Sequence, residues 1–133
     1  MNISGSKASP KPRKGVADKA YVNWVTDIPS VIDAAFDRHE SSIGTILKND
    51  GHHIHTKGAR GGDYWRIPLT RKQHQLCHAK GNKFVENENG LDFHKIVCKL
   101  LSSRFGFRIP TSPDWELLAR DMVAKAEEIF RNE

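Results

Sequence analysis

Residues 51–81 read GHHIHTKGARGGDYWRIPLTRKQHQLCHAKG and hold five of the seven histidines of this 133-residue chain. Histidine is a common metal ligand and a proton acceptor near neutral pH. The β-branched alternation around HHIHT predicts a short strand, and KGARGGD reads as loop. YWRIPLT predicts a second strand, with Pro68 at an edge or an end. Thr70 is a cap for a helix over RKQHQLCHAK, which Gly81 stops. The window is therefore strand, loop, strand, helix.

That order brings particular imidazoles together. His74 and His78 are four apart on the predicted helix, so they share a face and can reach one cation. His52 and His53 are strand neighbours and point to opposite faces. Only one of them joins the helix pair directly. The simplest set is His52, His74 and His78, with His53 outside it. Three protein ligands leave a position open, the mark of a catalytic rather than a structural site. An imidazole beside such a cation can take a proton from water. A lone HxxxH is common by chance. Joined to HH in this order it is far rarer. His39, His55 and His94 read as ordinary residues. Cys77 reads as core, with a fourth ligand as the alternative. Trp65 reads as core, with Tyr64 turned the other way.

Charge points toward a polyanion. Residues 48–83 carry eight Lys/Arg against two Asp, and residues 1–19 carry five against one. The segments between and after them are mildly acidic. This fits nucleic acid, with solvated loops as the bland alternative. Lys57, Arg60, Arg66, Arg71 and Lys72 are the candidates to grip flanking phosphates, in contacts that are salt-dependent and mostly blind to sequence. A cation there would suit phosphodiester hydrolysis. Three imidazoles favour Zn²⁺ or Ni²⁺ as the bound ion, while Mg²⁺ or Mn²⁺ could serve turnover.

Outside the window, residues 1–17 are polar, basic and Pro/Ser-rich and read as a flexible tail. Residues 18–133 read as one domain, with a core at about 49–81 and C-terminal helices over 91–131. A helix starts at Asp18 through AYVNWVT and ends by Pro29. SVIDAAFDRH reads as a second helix and ESSIGTILKNDG as a loop. NKFVENEN reads as a weak helix. DFHKIVCKLLSSRF and PDWELLARDMVAKAEEIFRN are amphipathic, the second facing Trp115, Leu118, Met122, Ala126 and Ile129 inward. The expected fold is α+β, mainly helical. Two cysteines, no secretory signal and no apolar run of membrane length lead to an expectation of a cytoplasmic, non-membrane protein.

The HH and HQLCH pair resembles the HNH, or ββα-metal, endonucleases. That resemblance implies His53 as general base and His52, His74 and His78 as metal ligands on a ββα-metal motif with flanking helices. AYVNWVTDIPS, DYWRIPLTRKQHQLCHAKG and NKFVENENGLDFHKIVCKLL are similar to phage nucleases of the recombination-enhancing Ref type, over roughly residues 20–101. This implies a phage-encoded, metal-dependent DNA endonuclease linked to recombination, with DNA and a RecA-like recombinase as partners. Three departures stand out. Ser30 and Thr70 occupy positions where such nucleases carry zinc-binding cysteines, leaving Ile28, Val31, Ile32 and Phe36 to pack instead. Trp65 falls near the place of the HNH asparagine, which leaves Asp63 to order the loop. Gln73 replaces the first of a paired histidine. These departures motivate an alternative, a non-catalytic DNA-binding accessory protein on the same scaffold.

Overall fold

The computed structural model describes residues 15–30, 49–55 and 62–133. Helix α1 spans Lys19–Thr26. Strand β1 (Asp50–His53) and strand β2 (Arg66–Leu69) flank a 3₁₀ turn at Gly62–Trp65. Four helices follow: α2 (Arg71–Lys80), α3 (Asn82–Asn89), α4 (Phe93–Phe105) and α5 (Trp115–Arg131). The described architecture is α+β and mostly helical, with one two-stranded antiparallel sheet. None of these helices is long and apolar enough to cross a membrane. The basic segment 1–14, the expected second helix with His39 and its loop, and the Lys57–Arg60 stretch lie outside the described residues.

The helix ends follow local chemistry. Asp18 caps α1 by accepting from Tyr21 N. Thr70 caps α2 through a capping box: its hydroxyl accepts from Gln73 N while Gln73 Oε1 accepts from Thr70 N. Such a cap satisfies two otherwise orphaned donors. Asp92 and Asp114 cap α4 and α5. Gly90 and Gly106 end α3 and α4 in the left-handed region, where glycine has no Cβ penalty.

The core lies where α1, the hairpin and the α4–α5 pair meet. Tyr21, Tyr64, Phe93, Ile67, Leu69, Leu101 and Met122 are among its fully buried side chains. Tyr21 meets Tyr64 edge-on at 5.0 Å between ring centroids, and Phe105 packs against both.

The structure departs from the sequence expectations in four places. Strand β1 begins at Asp50 and ends at His53, earlier than HHIHT implies; Gly51 pairs Pro68 and His52 pairs Ile67. Tyr64 and Trp65 leave the second strand for the 3₁₀ turn, and both are buried. Strand alternation no longer applies to them, and tertiary contacts outweigh β-propensity. Tyr64 donates to Asp18 Oδ2 at 2.7 Å. Val16 is in the core and its carbonyl accepts from Asp63 N, so the docked chain starts before Asp18. Ile129, expected inward on α5, is exposed.

Candidate metal centre

The two strands and α2 bring three imidazoles to one place. One nitrogen from each of His52, His74 and His78 lies within 4.8 Å of the others. The ring centroids stand 4.9 Å apart for His52–His74, 5.6 Å for His52–His78 and 4.7 Å for His74–His78. The i, i+4 spacing on α2 stacks the last two, and their Nε2 atoms approach to 3.0 Å. His52 comes from β1 and is buried, His74 is half-buried and His78 is exposed. The cluster is therefore closed at the strand and open to solvent at the helix.

Neighbouring groups set which nitrogen each ring offers. His74 Nδ1 lies 3.1 Å from Asp50 Oδ2. A carboxylate only accepts, so Nδ1 carries the proton and neutral His74 presents an Nε2 lone pair. His52 Nε2 lies 2.8 Å from Asn82 Oδ1. Asn82 Nδ2 donates to Ile54 O at 3.0 Å, which fixes the amide so that Oδ1 is the acceptor. His52 therefore donates from Nε2 and presents Nδ1. That Nδ1 is buried and has no hydrogen-bond partner. An unpartnered buried nitrogen costs roughly 1–3 kcal/mol, a cost that coordination would remove. Burial, with repulsion from His74, His78 and His53 and against the Asn82 hydrogen bond, lowers His52 to about 4. The ring is thus neutral at physiological pH, the form that binds a metal. The residues present fit a divalent cation that accepts imidazole nitrogen.

His53 faces the other side of β1, as strand geometry requires. Its Nε2 lies 4.0 Å from Asp63 Oδ1, and its side chain is 21 % exposed. Asp63 anchors this side of the hairpin. Its Oδ2 accepts from Asp18 N at 2.8 Å and its Oδ1 accepts from Arg66 Nε at 2.9 Å. Asp63 thus joins the residue that caps α1 to β2.

The basic residues divide. Arg66, expected at phosphates, is half-buried and bound within the hairpin: besides Asp63 it donates from Nη1 to Gly51 O at 2.7 Å. Pairing across the strands from His53 places it there. Arg71 and Lys72 are exposed on the first turn of α2, and Arg71 Nη2 lies 3.5 Å from Asp50 Oδ1. Lys57 and Arg60 lie outside the described residues. Cys77 is buried and is not among the converging histidines; burial, with Glu86 nearby, pushes its thiol up to about 11.

Sequence reading missed three features. Asn82, just past Gly81, reads as a weak helix start; nothing local marks it as the partner of His52. Ser30, fully buried, donates to Gln73 Oε1, so Ser30 and Thr70 are joined through one carboxamide. His55 and His94 read as ordinary residues, yet their rings meet beside Trp65. Comparison of the chain with protein-family models, curated proteins and solved structures found no match.

Proposed function

We propose that this chain is a metal-dependent DNA endonuclease of the HNH kind, with β1, β2 and α2 as its ββα-metal motif. The observation that carries this reading is the convergence of His52, His74 and His78, each of the first two oriented by a second group. A carboxylate or amide behind a histidine ligand is a recurrent feature of metal sites, because it fixes the ring and its tautomer. His52, His74 and His78 would hold the ion, and the solvent-facing side at His78 leaves room for substrate.

A divalent cation in that position supplies charge stabilisation for a phosphodiester and its leaving oxygen. The chain's own groups account for the remainder. His53 is the general base that takes a proton from water. Asp63, 4.0 Å from its Nε2, favours the imidazolium that results. Arg66 holds Asp63 in place. Arg71 and Lys72, exposed at the start of α2, contact flanking phosphates together with the basic residues outside the described segments. Phage origin and a recombinase partner belong to the same reading and rest on the sequence resemblance alone.

The decisive experiment is cleavage of supercoiled and single-stranded DNA across Mg²⁺, Mn²⁺, Ni²⁺ and Zn²⁺. His53→Ala is expected to lower turnover by at least about 10²-fold, while metal and DNA affinity stay near wild type. Full-rate cleavage by that variant removes His53 from the mechanism. Salt-sensitive DNA binding without cleavage under any metal supports the accessory-protein reading instead.

A further inference from the structure

A second pair of imidazoles lies outside the three-histidine cluster. His55 follows the end of β1, and His94 sits in the first turn of α4. Their Nε2 atoms are 3.2 Å apart, and the ring centroids are 5.2 Å apart. Two nitrogens held tetrahedrally at a metal–nitrogen distance of roughly 2.0–2.1 Å lie about 3.3 Å from each other. The separation is the one a shared cation needs, with no change in backbone.

The surroundings hold this arrangement in place. The His55 ring stands edge-on to Trp65 at 4.2 Å between centroids, and His94 flanks the same indole at 6.3 Å. Both histidines are half-buried, so an ion can reach them from solvent.

The geometry points to a second metal site at His55 and His94, with solvent completing the coordination. Its ligand class is a borderline transition cation such as Zn²⁺, Ni²⁺ or Cu²⁺, because imidazole nitrogen selects these over Mg²⁺ or Ca²⁺. A cation there clamps the end of β1 to the start of α4, segments 39 residues apart in the chain. This site stands independently of the nuclease reading.

The test is a count of bound ions on the full chain, by equilibrium dialysis against Zn²⁺ and by native mass spectrometry. Wild type is expected to bind two equivalents. His94→Ala and His94→Gln are each expected to bind one; the glutamine variant keeps a polar group in case alanine disturbs the fold. The double variant His74→Ala/His78→Ala is expected to retain one equivalent, carried by the second pair. A count that neither His94 substitution changes overturns the second site. The count does not depend on cleavage, so an inactive protein that binds two ions would sink the nuclease reading and leave this one standing.

Discussion

At the scale of single residues, two of the three histidines of the proposed centre are oriented by groups outside the cluster. Asn82 holds His52 by its Nε2 and is itself fixed by Ile54 O. Asp50 does the same for His74 through Nδ1. Losing a partner of this kind typically weakens metal affinity by about 10–100-fold. Asn82→Ala is therefore expected to weaken Zn²⁺ binding within that range, with helical content unchanged. Asp50→Asn is expected to have a milder effect, because an amide oxygen can still accept from Nδ1. Calorimetric titration of each variant checks the ranking; affinity unchanged in Asn82→Ala would contradict the assigned orientation of His52. The convergence of His52, His74 and His78 was legible in the sequence because HH and HxxxH carry their geometry with them. The orienting groups were not, since an Asn after a helix-stopping glycine looks like any turn residue.

At the scale of elements, the ends of helices were readable and the hairpin was only partly so. Asp18 and Thr70 cap helices as expected, because a cap acts within three residues; Asp92 and Asp114 do the same for α4 and α5. The 3₁₀ turn at Gly62–Trp65 was not readable. The Gly15–Val16 segment crosses directly over it, a contact no local pattern displays. Gly62 has φ +42°, and a Cβ there would lie 2.4 Å from Val16 O. A non-glycine residue in such a conformation costs of order 1–3 kcal/mol, and here a backbone clash adds to it. Gly62→Ala is expected to lower stability by at least that range, measured by urea denaturation. It should also disturb Asp63, and with it His53, because Asp63 N donates to Val16 O. An alanine variant with an unaltered midpoint would mean that the N-terminal segment does not dock as described.

At the scale of the whole molecule, several acidic protons are locked into the interior. Burial, aided by Glu86 for Cys77 and Asp92 for Cys98, pushes both thiols from 9.0 up to about 11. Tyr21 is raised by burial, and Tyr64 by burial and by its hydrogen bond to Asp18. Each group has a folded-state pKa above its unfolded value, so the folded state keeps the proton longer. For the thiols the stability this contributes is intact below about pH 9 and is lost as pH rises from 9 toward 11; for the tyrosines the loss begins only above about pH 10. The denaturation midpoint is expected to hold steady between pH 7.5 and 8.5 and to fall by pH 10.5. Both thiols should react slowly with a disulfide reagent at pH 8 until the chain unfolds. A flat midpoint up to pH 11 would show that these groups are not buried together.

What the sequence determined by itself is everything governed by near neighbours: amphipathic helices, their caps and stops, the strand–strand–helix order, and the i, i+4 pair His74 and His78. Tertiary structure alone decided what joins distant positions. Asp18 meets Tyr64 across 46 residues, His52 meets Asn82 across 30, and His55 meets His94 across 39. It also gave Arg66 a partner in Asp63. Periodicity and capping act over three or four residues, which a chain displays in its own order. Which polar groups become partners once water is excluded depends on how the whole core closes.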